Sequence, residues 1–406
     1  MQMIFRTPGR KRATCALALL GLIALLYAAL CAASGVDARS YPYPTYLLQA
    51  QAWLRGETAL SQNYEWLELA VYEGRYYVSF PPVPSIPMLL YALLFGSGVP
   101  GGLFQKIYLA AACMVIFSEL QRAGRMRPAS AAAWAGFFCF ASAMLPVSLV
   151  GGVWYEAEIM AFLFAVSAIA AVRRGRPTLA CLLYALSVGC RPFSALLGPA
   201  LLMLHLRRAR GKGERLDAAA ARGAMRKLVP GIAVGLLVAA AYGAYNYVRF
   251  GNPFEFGHNY LPEFMRSEHG QLSVHYLGKN LVDFLFGPPV RLGDAGPELQ
   301  KFGFSMFLSS PIFICNLVWL AEDLVKRRMN WEKALLVALG ALNVVLLCMH
   351  RTLGGFQFGM RYAMELAPFC LIYLLLSERR EMRAWEAALL GFGLCFNFWG
   401  ACVAHV

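Results

Sequence analysis

Residues 14–33 read TCALALLGLIALLYAALCAA, about twenty positions without a charge. At 1.5 Å per residue a helix of that length covers a hydrocarbon core of roughly 30 Å. Residues 129–150 and 228–247 read the same way. Across the 406 positions, 59% are hydrophobic and only 15% charged. A soluble domain carries roughly a quarter charged residues, so the excess apolar surface needs lipid as its solvent. The fold class expected is all-α, a polytopic integral membrane protein.

A formal charge of +14 suggests nucleic acid only if the basic residues form one face. They instead punctuate the apolar runs at Arg6–Arg12, Arg122–Arg127, Arg173–Arg176, Arg207–Lys227, Lys326–Lys333 and Arg379–Arg383. These are alternate inter-helix segments, the positive-inside pattern, which excludes a nucleic-acid partner and puts the N-terminus in the cytoplasm. About two thirds of the 37 Lys and Arg residues fall on that side, while the acids favour the other. Arg10, Lys11 and Arg12 before the first run and Ala32, Ala33 and Ser34 after it resemble a secretory leader. The run's length and the spans that follow make it a retained first helix in the plasma membrane. Cys15, Cys113, Cys139, Cys181, Cys348 and Cys395 lie inside apolar runs, which reads as small-residue packing in lipid and not as a disulfide framework.

Hydropathy and charge together predict about eleven spans: 14–33, 103–120, 129–150, 157–172, 178–190, 193–206, 228–247, 306–321, 334–349, 362–377 and 384–403. The apolar run Pro84–Phe95 is short and contains Pro84 and Pro87. Counting it as a span would invert every later basic loop, so it is placed on the outer interface. The chain is then a single transmembrane domain, 1–406, with large outer segments at 34–102 and 248–305. Chemistry is expected on the outer side.

The first outer segment contains Asp37, then Tyr41-Pro42-Tyr43-Pro44-Thr45-Tyr46, an amphipathic helix over Leu47–Gly56, and Pro81-Pro82 ahead of the interfacial helix. Trp154-Tyr155-Glu156-Ala157-Glu158 opens the fourth span. This order resembles the GT-C superfamily of integral-membrane glycosyltransferases, which includes the protein O-mannosyltransferases and the aminoarabinose transferases acting on lipid A. Tyr46, Ala50 and Gly56 match that family's first interfacial helix, Pro81-Pro82 the start of its second, and Glu156 and Glu158 its later acidic position. In the aminoarabinose-transferase pattern the first-loop acid falls at Pro42; here the nearest acid is Asp37.

The resemblance implies transfer of a sugar from a polyprenyl-phosphate donor to a glycan, lipid or protein of the cell envelope. Such transfer needs a carboxylate to take the acceptor's proton, and Asp37 and Glu156 are the candidates. A divalent metal is the one cofactor such a carboxylate would orient. The donor phosphate needs cations at the outer ends of spans, where basic residues are scarce. Arg191, in Gly189-Cys190-Arg191-Pro192, and Arg351 and Arg361, in the glycine-rich stretch His350–Tyr362, meet that requirement. Glu158, Tyr46 and His258 complete the expected substrate contacts. Tyr245–His258 is dense in aromatics, which reads as an interfacial belt or a sugar-stacking surface. Walker, zinc, nucleophile-elbow and dinucleotide motifs are all missing from the sequence. The competing readings are a lipid-linked glycan transporter and a non-catalytic GT-C-like component. The spans carry almost no ionisable residue at mid-depth, which disfavours the transporter.

Overall fold

The computed structural model describes residues 8–124, 126–210, 217–293, 296–377 and 381–404. Of the basic clusters, Arg6, Arg125, Lys212, Arg215, Arg379 and Arg380 lie outside them. Among the described residues, six helices are long and apolar enough to cross a bilayer: Lys11–Ser34, Gly101–Arg122, Val153–Arg173, Ala218–Phe250, Trp331–Cys348 and Ala384–Val403. Their composition makes the chain a membrane protein. Val153–Arg173 is the most enclosed of them, whereas Ala218–Phe250 buries little and turns residues such as Leu237 (72% exposed) outward.

The other expected spans are shorter or broken, so helix length does not support a count of about eleven. Residues 129–150 fold as Pro128–Cys139 and Met144–Val147, and 306–321 as Met306–Ser309 followed by Ile312–Val325. Residues 192–210 and 361–376 each begin as a 3-10 turn before becoming α-helical, and 178–190 is the short helix Pro177–Val188. Pro311, which lacks an N–H, marks one interruption. Backbone exposed by a break inside a membrane protein has to find partners within the protein. The side chains around the two breaks supply them: Ala143 N–H donates to Ser310 Oγ at 3.0 Å, and Asn397 Nδ2 donates to the Ser309 carbonyl at 2.9 Å.

Within residues 34–102 the two short helices expected from the sequence are present. Its amphipathic helix is Thr45–Leu54, closed by Gly56 in the left-handed region at φ +77°. Ser85–Phe95 packs beside it, buries Met88 and Ala92, and exposes Leu90, Leu93 and Leu94. Eleven residues of helix fall far short of a bilayer.

The all-α expectation needs one correction. Two antiparallel hairpins are present, Leu69–Tyr72 with Arg75–Val78 and Val290–Gly293 with Gly296–Leu299. The first turns through Glu73 and Gly74, both at positive φ (49° and 73°), the geometry that matches the twist of the flanking strands.

Lys106, buried in the helix Gly101–Arg122, fixes the start of residues 34–102 to the bundle. Its ammonium donates to the carbonyls of Ala38, Gly102 and Leu149 at 3.2, 3.1 and 2.7 Å. Glycine is required beside it: a Cβ on Gly102 would stand 2.3 Å from the Ser40 carbonyl oxygen.

Candidate active site

The turn Gly189–Pro192, the stretch 350–362 and parts of residues 248–305 surround a cavity of about 790 Å³. Arg191, Arg351, Arg361 and His258, four of the expected contacts, line it together with Phe80, Trp154 and Tyr362. Asp37, Tyr46, Glu156 and Glu158 do not.

Arg361 is buried (2% exposed). Its Nη1 lies 3.4 Å from Glu158 Oε2, and its Nε donates to the Gly354 carbonyl at 3.1 Å. That carbonyl is available because Gly354 and Gly355 turn through the left-handed region at φ +112° and +67°. The glycines expected to let backbone approach a ligand thus first fold the stretch back onto Arg361. Arg191 Nε donates to Glu365 Oε1 at 2.8 Å, so Glu365 pairs with Arg191. Arg191 Nη2 stands 3.4 Å from the same Glu158 oxygen, without hydrogen-bond geometry, and is a buried donor with no hydrogen-bond acceptor. Both guanidiniums lie against one ring, 4.6 and 4.9 Å from the Tyr362 centroid.

Two arginines and two glutamates therefore form a charge-balanced buried cluster at the base of the cavity. Arg351 is different. It is only half-buried, its guanidinium lies 6.0 Å from the Phe264 ring, and its Nη1 donates to the Glu263 carbonyl. Its charge has no carboxylate partner among the described ion pairs.

His258 packs edge-on to Phe80 with ring centroids 5.3 Å apart, and His350 Nε2 lies 3.1 Å from Gln271 Nε2. Burial pushes the pKa of both down to about 4. Both are therefore neutral near pH 7.

Glu156 accepts a hydrogen bond from Tyr41 Oη at 2.7 Å, and its other oxygen is buried without a partner. Tyr46 is also fully buried, with its hydroxyl unpartnered. Asp37 is exposed and accepts from Arg39 N–H at 2.8 Å. The acids that do reach the cavity wall are Glu68, Glu255, Glu263 and Asp283. Glu68 accepts from Trp154 Nε1 at 2.8 Å, and the surrounding wall raises its pKa above the ordinary carboxylate value by desolvation. In the sequence Glu68 is one of several acids between Glu65 and Glu73, with nothing to single it out; its proximity to Trp154 is purely tertiary.

Among the described residues no three His, Cys, Asp or Glu side chains are placed to hold a metal ion. Glu158 and Glu365 are engaged by arginines and Asp283 by Arg291 at 2.6 Å and Lys279 at 3.4 Å. These three acids are therefore already paired with cations.

By sequence, no protein-family model and no curated protein matches the chain. Solved structures do. The oligosaccharyltransferase of Archaeoglobus fulgidus in its apo form superposes with a TM-score of 0.53 at 12% identity, over 96% of this chain and 56% of that one. The archaeal oligosaccharyltransferase AglB of the same organism, in complex with an inhibitory peptide and a dolichol-phosphate, gives 0.53 at 11% over the same shares. ArnT from Cupriavidus metallidurans, bound to undecaprenyl phosphate, gives 0.50 at 14%, over 89% of this chain and 59% of that one. The chain thus spans less than two thirds of the length of these proteins and, at such identities, shares their fold alone.

Proposed function

We propose that the chain is a membrane glycosyltransferase that takes a sugar from a polyprenyl-phosphate donor and passes it to a cell-envelope acceptor. In this reading the chain lies in the plasma membrane with its N-terminus in the cytoplasm, crosses about eleven times, and opens its cavity on the outer face. The observation that carries the proposal is the convergence of Arg191, Arg351 and Arg361 on one cavity lined also by aromatic rings. That two fold neighbours are bound to undecaprenyl phosphate and dolichol-phosphate supports a lipid phosphate as the donor.

Arg191 and Arg361 arrive already neutralised by Glu158 and Glu365, so they supply oriented N–H donors, and Arg351 supplies unmatched charge. Transfer removes the proton of an acceptor hydroxyl, forms the new bond at the sugar's anomeric carbon and breaks the bond to the phosphate oxygen. The charge left on the departing polyprenyl phosphate then falls on the arginines. Glu68 is the proposed base, since it stands at the cavity wall with a raised pKa. Asp37 and Glu156 would serve only after a rearrangement of the first outer segment; as placed, Glu156 orients Tyr41.

A second reading, a non-catalytic component that binds the lipid phosphate, draws on the absence of Asp37 and Glu156 from the cavity wall. Purified protein incubated with radiolabelled polyprenyl-phosphate sugars and membrane acceptors separates the two. Label moved to the acceptor by the wild type and lost in Glu68→Gln supports transfer. Binding without transfer across the donor panel supports the second reading.

A further inference from the structure

The helix Trp331–Cys348 runs from the candidate active site to a second cavity at its other end, about 27 Å away for 18 residues. This cavity, of about 680 Å³, is lined by Arg207, Lys326, Arg328, Lys333 and Arg383 against Glu322 and Asp323. Most of these cations are already matched. Lys333 Nζ donates to Asp323 Oδ2 at 2.7 Å, and that oxygen also accepts from Tyr373 Oη at 2.7 Å. Arg207 pairs with Glu332, and Arg383 with Glu322 and, at 2.9 Å, with Glu386.

Lys326 and Arg328 are not. Both are exposed at the cavity wall, and neither side chain has an anionic partner among the described residues. Among the described residues the cavity is therefore built of satisfied ion pairs with two unmatched cations at its edge, an arrangement that attracts an anion. The apolar neighbours say where that anion comes from. Val325 is 82% exposed, and Leu324 and Trp331 are each 57% exposed, at the ends of the two helices that frame the opening. Exposed apolar side chains next to a basic cleft at a helix end fit a molecule with both a phosphate and a hydrocarbon part.

We propose that this cleft binds the phosphate of an anionic phospholipid headgroup, with the acyl chains running along Leu324, Val325 and Trp331. The site is separate from the sugar-transfer cavity and does not depend on that activity. Its phosphate is held by Lys326 and Arg328, with Lys333 and Arg383 as the fixed walls.

Full-length protein in nanodiscs of equal phosphatidylglycerol and phosphatidylcholine, released into native mass spectrometry, tests this directly. The wild type should retain phosphatidylglycerol in preference to phosphatidylcholine. The double variant K326Q/R328Q should hold it roughly thirtyfold more weakly, the loss expected for two surface cations. The charge-preserving K326R/R328K should retain it, which separates lost charge from a lost fold. Equal retention of the two lipids, or unchanged retention in K326Q/R328Q, overturns the proposal. A parallel titration with inorganic phosphate distinguishes the source: phosphate binding with no lipid retained would make the ligand a soluble anion and overturn the lipid assignment.

Discussion

The two ends of the helix Trp331–Cys348 hold the same chemical ingredients in opposite states. At the His350 end, Arg191 and Arg361 are enclosed, and each faces a buried glutamate beside one shared aromatic ring. At the Trp331 end, Arg383 is 37% exposed on its pairs with Glu322 and Glu386, and Lys326 and Arg328 stand exposed without a carboxylate among the described residues. Enclosure, more than charge, sets what each end can do. A buried guanidinium keeps a fixed donor geometry, which a departing phosphate requires, whereas exposed cations offer screened attraction that suits a mobile lipid headgroup.

That contrast is most sharply broken at the proposed base. Glu68→Gln should lower turnover by roughly 10² to 10⁴ with little change in stability, because glutamine keeps a carbonyl oxygen to accept from Trp154 Nε1 and loses only the carboxylate's basicity. The pH–rate profile sharpens this: with its pKa raised, Glu68 becomes a base only as pH climbs past its shifted value, so the wild-type rate should rise through a limb that Glu68→Gln lacks. A limb that survives the substitution would assign the proton to another acid.

Next in size is the buried cluster. Arg361→Ala leaves Glu158 facing only Arg191 across 3.4 Å, and removing one partner of a buried pair costs about 3–5 kcal/mol. Thermal unfolding in detergent should show this as a large fall in midpoint. The equivalent change at the other end, Lys326→Ala, should cost about 0.5 kcal/mol or less, since its exposed ammonium has no carboxylate pair among the described residues. Equal losses at the two ends would remove the distinction between them.

A smaller effect comes from His258 and His350. Their folded pKa values, about 4, lie below the ordinary 6.5, so the unfolded chain binds more protons between those values. Their contribution to stability is complete above about pH 6.5 and declines as pH falls toward 4. Chemical denaturation at pH 7 and pH 5 should show the acidic sample to be weaker, and His350→Gln should reduce the difference.

Much of this contrast is legible in the sequence as position but not as pairing. Charge-free runs and basic punctuation locate the helices, and the scarcity of cations at the span ends away from the basic clusters singles out Arg191, Arg351 and Arg361, which line one cavity. Local signals also hold for the helix Thr45–Leu54, where Gly56 supplies the turn after it. Helix breaks are harder to see, because hydropathy scores 129–150 as one apolar stretch although the backbone turns near Ser142 and is satisfied by Ser310 from a distant segment. The hairpin at Leu69–Val78 is short and only partly buried, so the alternation that marks a strand is faint. The partners of Arg191 and Arg361 are beyond reach for a simpler reason. Glu365 stands 174 positions from Arg191 and Glu158 stands 203 from Arg361, and only packing selects such partners.

If the three arginines form a lipid-phosphate site, Arg351 is the place to test it, because it is half-buried and has no carboxylate pair among the described residues, so its loss should leave the fold intact. The direct measurement is the affinity of purified wild type and Arg351→Ala for undecaprenyl phosphate, taken side by side in the same detergent. A donor site predicts binding by the wild type and an affinity roughly tenfold or more lower in the variant, the loss of one charge-assisted contact. Binding by both with equal affinity, or by neither, would contradict it.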